Sequence, residues 1–376
     1  MDRRAFFTQA GVATVLVAGG GVWRALDQGV FSTGQGPAYE PWHTWRQEPI
    51  IGAAILAPSP HNSQPWLFRV ADTWIELYLD TKRNTGALDP YLREAHLGLG
   101  CALENVVLAA RAEGFVPSVW LSEGTLGLIP LDLTPDLVAR VTLSPGPRDV
   151  SPLYTAIPHR HTNRTPYDIA RAMPDAVMDD LRRATLGESD VTVFFYPRQP
   201  AIIELVLAAN DVVYDREVVH DTNPWVRRSW QDVQGHRDGL TYDCSGQPAL
   251  ARAVGKFCGQ WPHAVTYRDC LEATTIFGVI AVRDRHDRAQ TLRAGRAWQR
   301  LHLTATVHGV AARPINEAIE LIDREQRLRR PPRAEARLAE LTGDATWEPT
   351  FMFRMGYPLA PAPASPRRSV VDVLLP

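Results

Sequence analysis

Residues Leu97 to Gly114 and Leu292 to Gly309 align without a gap, 195 residues apart, and are identical at Leu97/Leu292, Gly100/Gly295, Ala102/Ala297, Leu108/Leu303, Ala110/Ala305 and Gly114/Gly309. Both carry apolar residues at helical spacing and end on a glycine suited to the position just past a helix terminus. Small Gly and Ala residues on one face let two such helices approach closely, although unrelated amphipathic helices draw on the same common residues. The repeat favours a chain of two similar halves, 42–150 and 151–376, divided near Ser144-Pro-Gly-Pro147 and Pro152. Leu67 to Val70, Thr73 to Leu79, Val191 to Phe195 and Thr275 to Val282 read as strands, so the expected fold is α+β, with sheet wrapped by helices.

The run Ala57-Pro-Ser-Pro-His-Asn-Ser-Gln-Pro-Trp66 ends an apolar, helix-like stretch, Ile50 to Leu56, and precedes the first strand. Proline lacks a backbone donor and biases its predecessor towards extended geometry, so the run reads as a stiff helix-to-strand loop. Its Ser, Asn and Gln side chains suit a flat heteroaromatic ligand held at little ordering cost. They equally suit a turn that caps a helix and satisfies its own backbone.

His159-Arg-His-Thr-Asn-Arg164 lies just past the boundary and before Pro166 and the helical stretch Pro174 to Ala184. A place near a helix start favours anions, and arginine forks bind phosphate oxygens in pairs; alone, the run also fits a solvated basic turn. At the far end stand Arg354-Met-Gly-Tyr-Pro358, a proline-rich spacer, and Arg367-Arg368 before the apolar Val370 to Leu375. An exposed basic pair in a flexible tail is the plainer reading.

A net charge of −2 and the lack of a long basic block argue against nucleic acid as a partner. Cys101, Cys244, Cys258 and Cys270 form no Cys-x-x-Cys pair and no zinc spacing, so no metal is expected. Asp2-Arg-Arg-Ala-Phe-Phe7 before the apolar run Gly11 to Trp23 has the layout of a twin-arginine signal over residues 1–27, followed by a linker, 28–41. Export to the periplasm or the outer face of the cytoplasmic membrane is expected, with a membrane tether left open.

Taken together, the motifs resemble the FMN-dependent nitroreductase family, and the chain from about Glu48 to Leu375 resembles its exported, double-length Acg-type branch. The proline loop is similar to the family's Pro-Ser-x-x-Asn-x-Gln-Pro-Trp, and Arg160-His-Thr-Asn-Arg164 to its Arg-x-Ser/Thr-x-Arg element. Arg367-Arg368 resembles its C-terminal basic pair. The resemblance implies a nitroreductase-like fold whose two halves mimic the family dimer within a monomer. It implies FMN, with Ser59, His61, Asn62 and Gln64 near the ring and ribityl chain and Arg160, Thr162, Arg164, Arg367 and Arg368 around the phosphate.

One FMN per chain is expected, since the Ser-Asn-Gln loop occurs only in the first half and the arginine elements only in the second. Neither Trp42-His-Thr-Trp-Arg46 nor the second half's own loop carries the pattern. The activity implied is ping-pong hydride transfer through flavin N5 to or from a planar nitroaromatic or quinone-like molecule, with no catalytic side chain assigned. NAD(P)H, a quinone or a redox protein would be the donor; the rival reading is a protein that sequesters or stores FMN without turnover. The stretch 211–261, rich in Trp and Tyr, reads as a lid whose aromatics sandwich a planar substrate.

Overall fold

A computed structural model describes residues 21–130, 133–261 and 264–376. Apart from a short helix, Gly21–Asp27, the expected signal segment lies outside the described residues. Helix α1 (Pro49–Ala54) leads through the proline loop into β1 (Trp66–Ala71) and β2 (Trp74–Leu79), then α2 (Arg93–Ala112), β3 (Phe115–Leu121) and β4 (Asp136–Pro145). The succession returns as α3 (Asp175–Arg183), β5 (Val191–Pro197), β6 (Ile276–Val282), α4 (Arg288–Val307), β7 (Ala311–Pro314), the added helix α5 (Glu317–Arg327) and β8 (Glu348–Gly356).

The strands form two antiparallel sheets of order β1-β2-β4-β3 and β5-β6-β8-β7, so each strand of the first sheet has a counterpart four numbers later. The second unit differs by a long insertion between β5 and β6 and by α5 with the helix Arg333–Thr342 between β7 and β8. Ile276-Phe-Gly-Val-Ile-Ala-Val282 is apolar throughout rather than alternating because β6 is covered on both faces: all but Ile276 is buried.

α2 and α4 cross at the repeated glycines. A Cβ on Gly100 would stand 2.2 Å from the Leu292 carbonyl oxygen, and one on Gly295 would stand 2.1 Å from that of Leu97. The contact is reciprocal, as in an isologous interface: each glycine meets the carbonyl of the residue equivalent to the other's partner. Around it, Glu104 accepts from Arg296 at 2.8 Å and Arg300 at 3.0 Å, and Gln299 donates to Asn105 at 2.7 Å. One apolar cluster runs from Phe68, Ile75 and Leu77 through Leu103, Val106, Trp298 and Leu301 to Ile280, Val282 and Phe353, so the two sheets share a single core.

The stretch expected as a linker is docked rather than free. Ala38 and Tyr39 are buried against Val233, and the Ala38 amide donates to the Gln234 side chain at 2.8 Å. Among the described residues no helix is long and apolar enough to cross a membrane.

Candidate functional site

The proline loop folds with three residues in the left-handed region, His61 at φ 47°, Asn62 at 55° and Gln64 at 53°. That conformation costs on the order of 1 kcal/mol or more per residue without glycine, less for Asn and His, so it persists only when other contacts fix it. Here they do. Ser59 Oγ accepts from the Gln64 amide at 2.9 Å, and the Asn62 side chain donates to the carbonyls of Gly239 (3.2 Å) and Pro366 (3.0 Å). Gln64 donates to the Arg237 carbonyl at 2.9 Å and accepts from the Arg368 amide at 2.9 Å. The loop is thereby bolted to the β5–β6 insertion and to the C-terminal tail.

Its outer residues Pro58, Ser59, Pro60 and His61 line a cavity of about 270 Å³ whose far walls are α2, α4, β7 and α5. A narrower cavity of about 40 Å³ shares Pro58, Ser59, Thr162, Arg164 and Leu240 with it and ends on Asn62, Arg160, Cys244 and Arg367. Seven of the nine residues anticipated from the sequence therefore meet around one cleft: Ser59, His61, Asn62, Arg160, Thr162, Arg164 and Arg367. Gln64 and Arg368 do not reach the lining; they brace the loop against the tail.

The arginines of the narrow end lack acidic partners. Arg160 is 2% exposed and donates Nη2 to the Leu56 carbonyl at 3.1 Å, while its Nε and Nη1 are buried without a partner. Arg367, 1% exposed, donates to Asn62 Oδ1 at 2.7 Å and to the Ala57 carbonyl at 3.1 Å, and its Nε is likewise unpartnered. Burial pushes Arg160 down to about 10, and burial with the nearby Arg160 charge pushes Arg367 down to about 9. Arg164 falls to about 10, through burial and then Arg313. His61, at about 4, and His161, at about 3, are neutral near pH 7 for the same leading reason, burial.

The arginines do not sit at a helix start, as the sequence suggested. Arg160 follows the turn Ile157–His159 that closes the helix Pro152–Ala156, and α3 begins only at Asp175. The segment is held instead by strand-like contact with β7, where Asn163 donates its amide to the Ala312 carbonyl at 3.1 Å.

The aromatic lid is also corrected. The insertion contributes Val213, Gly239, Leu240 and Cys244 to the cleft, and none of its tryptophans. Trp225 donates to the Asn84 carbonyl at 2.9 Å, and Trp261 packs edge-on against Tyr242. The aromatic walls are Trp298 and Phe351, with ring centroids 4.8 Å apart. Three carboxyl groups missed in the sequence, Glu94, Glu317 and Glu320, complete the wide end. Glu317 and Glu320 lie three residues apart on a helix, a spacing that ordinarily marks a solvated face.

The equivalent place in the second unit is built differently. Where α2 has Gly98, a Cβ on which would come 3.3 Å from Ser59, α4 has Arg293, bound through Nε to Asp190 at 3.0 Å. Where α2 has Cys101, α4 has Arg296, bound to Glu104. Among the described residues no group of three or more His, Cys, Asp or Glu is placed to hold a metal ion.

A Mycobacterium tuberculosis H37Rv protein named as an NAD(P)H nitroreductase, Rv3131, is 30% identical over 358 residues, covering 91% of this chain and 95% of that protein. This chain belongs to that nitroreductase family. The M. tuberculosis protein named as the NAD(P)H nitroreductase acg is 41% identical over 69 residues, which cover 18% of this chain and 21% of that protein. No family model matches the chain. Among solved structures, a nitroreductase from Anabaena variabilis is similar with a TM-score of 0.42 and 11% identity, covering 84% of this chain and 73% of its own. The FMN-dependent nitroreductase NfnB from Mycobacterium smegmatis, in complex with NADPH, gives 0.35 and 13%, covering 59% of this chain and 96% of its own.

Proposed function

We propose that this chain is an FMN-dependent oxidoreductase of nitroreductase type that carries one flavin, in the cleft between the proline loop and the arginine segment. The observation that carries the reading is the pair of buried arginines, Arg160 and Arg367, with Nε and Nη1 of the first and Nε of the second unpartnered and no carboxylate among their contacts. A buried charge without a counter-ion costs several kcal/mol on the usual order. A phosphate monoester brings a charge of roughly −1.5 to −2 and three acceptor oxygens, which answers both the charge and the orphaned donors.

Arg160, Arg164 and Arg367 would hold the phosphate, Thr162 and Asn62 the ribityl chain, and Ser59 and His61 the ring edge. When bound, FMN supplies ping-pong hydride transfer at N5 between a donor and a planar acceptor. The chain's own part is placement: the fixed loop keeps the ring side preorganised, and the wide cavity leaves room beside it for a small planar molecule.

On this reading the two units reproduce within one chain the paired arrangement of a dimer, and only the first pairing keeps its site. The names of the relatives make NAD(P)H the first donor to try; Arg3-Arg4 and the apolar run after them support work outside the cytoplasm, where a reduced quinone or a redox protein would serve instead. Anaerobic stopped-flow of the FMN-loaded chain with NADPH, and separately with a reduced quinone, tests the reading. One of the two should bleach the flavin, and an added acceptor should restore it. Bound flavin that neither donor bleaches would convert the reading to storage, and a chain that takes up no FMN would end it.

A further inference from the structure

The wide end of the cleft has an unusual wall. Glu94 from α2 and Glu317 and Glu320 from α5 all line the cavity, facing the proline loop. Glu320 is only 8% exposed and its Oε2 has no partner; Glu317 Oε2 is also buried and unpartnered. Glu94 accepts from the Asn316 amide, whose oxygen in turn accepts from the Met352 amide at 2.9 Å, while Glu320 Oε2 is left without a bond from it.

The cations near this wall do not balance it. Arg93 gives its 2.7 Å bond to Asp323 and another, at 2.5 Å, to the Thr350 carbonyl, and approaches Glu94 only to 3.7 Å. Arg313 of β7 and Arg354 of β8 act on Glu317, with the Tyr267 hydroxyl beside them, while Asp89 adds a further carboxyl behind Glu94. Arg354 lies over the Tyr167 ring and donates to the Thr165 carbonyl at 2.9 Å, so it is engaged on its far side. Carboxyls that outnumber nearby cations in a dry wall keep protons: burial first, and like charge after it, hold Glu320 well above the usual carboxylate range and Glu94 at about 7.

We propose that this wall is the substrate-selecting surface of the cleft, in which protonated Glu320 donates a hydrogen bond to the oxygen of a neutral planar oxo compound of the quinone class. The proposal rests on the function above for the position of the cofactor, but the wall itself is a property of the chain. The aromatic pair Trp298 and Phe351 and the aliphatic Leu97 supply the flat apolar contact such a ring needs. A neutral carbonyl oxygen accepts from a carboxylic acid, whereas a carboxylate-bearing aromatic would meet a carboxyl cluster that it forces to stay protonated. Selection is thus against anions at this end, the reverse of the arginine end.

The test is equilibrium dialysis of 2,3-dimethyl-1,4-naphthoquinone, whose substituted ring does not add thiols, against the full chain with and without FMN and with no electron donor. Wild-type affinity should fall at least tenfold across a scan from pH 5 to 10, because the donor proton is lost on the alkaline side. 2-Naphthoate should bind at least tenfold more weakly than the quinone at pH 6. Glu320→Gln keeps a donor but does not titrate, so it should hold the quinone with a flattened profile, while Glu320→Leu should lose it; thermal melts check that both are folded. A flat wild-type profile, or a Glu320→Gln profile as steep as wild type, overturns the proposal. A chain that binds FMN yet shows a flat profile refutes the wall alone, and one that refuses FMN yet binds the quinone with the expected pH dependence refutes the cofactor reading alone.

Discussion

The two crossing helices share the glycines of their crossing, yet the surfaces they offer to their own loops are opposite. α2 presents Gly98 and Cys101 to the proline loop and leaves a cleft whose arginines arrive from the other unit. α4 presents Arg293 and Arg296 at the same positions, and these are neutralised by Asp190, Glu188 and Glu104. One side has a small residue, space and uncompensated positive charge; the other has long side chains, little space and paired charge. A repeat can therefore keep its packing while only one copy keeps a vacancy suited to an anion, because packing at the crossing depends on Gly100 and Gly295 and the cleft depends on neighbouring positions.

The largest effect should separate the two kinds of arginine. Arg160→Met or Arg367→Met is expected to weaken FMN binding at least about a hundredfold, roughly 3 kcal/mol, by removing a buried charge-assisted partner. Arg160→Met should leave the FMN-free melting temperature unchanged or higher, since it deletes a buried charge that has no counter-ion and gives up a single hydrogen bond, to the Leu56 carbonyl. Titration calorimetry and melting of the same samples read both. A matching loss of stability in the FMN-free Arg160→Met protein would mean that this arginine is structural.

Next comes the crossing itself. Gly295→Ala and Gly100→Ala should each cost on the order of 2–3 kcal/mol in urea unfolding, by driving a methyl group into the opposite helix backbone. The two costs should be alike if the contact is as reciprocal as its geometry, and an inert pair would show that the helices tolerate a wider separation.

On the second side, Arg296→Met removes one of two arginines from Glu104, a side chain only 4% exposed, and should cost about 1–2 kcal/mol without touching FMN affinity. Isothermal titration beside a chemical melt would reveal the opposite pattern if α4 also held a flavin.

The smallest effect concerns pH. Asp89 at about 6 and Glu94 at about 7 bind protons more tightly folded than unfolded, chiefly through burial. Their contribution to stability is therefore complete below the ordinary carboxylate range, near about 4, and is lost as pH rises through those folded values. The FMN-free melting temperature should decline between pH 5 and 8, and by less in Glu94→Gln, which keeps an oxygen for Asn316. A decline of equal size in the variant would place the titration elsewhere.

Much of this frame was legible in the sequence. The positions of β1, β2, β5 and β6 followed from apolar runs between turn residues, whereas β3, β4, β7 and β8 were not read, and the repeated glycines announced a close crossing because only a residue without a side chain fits there. The cleft was legible as a set of residue types, less so as a set of duties. Asn62 and Gln64 give their amides to Gly239, Arg237 and Pro366, partners far along the chain that no local pattern predicts. Trp225 and Trp261 marked an aromatic insertion, but composition does not say which way a ring points, and these turn from the cleft. Nothing in the sequence singled out Glu317 and Glu320, whose spacing is that of a solvated helix face; the burial of Glu320 and of the Glu317 Oε2 atom is a consequence of α5 packing under the wide end, which is a tertiary fact.

Under the proposed function one cleft, and not its counterpart, holds the cofactor. Native mass spectrometry of the full chain titrated with FMN tests it most directly, read beside Arg160→Met and Arg293→Met. Saturation is expected at one FMN per chain, abolished or strongly weakened in Arg160→Met and unchanged in Arg293→Met. Two FMN per chain, or binding that survives Arg160→Met and fails in Arg293→Met, would contradict it.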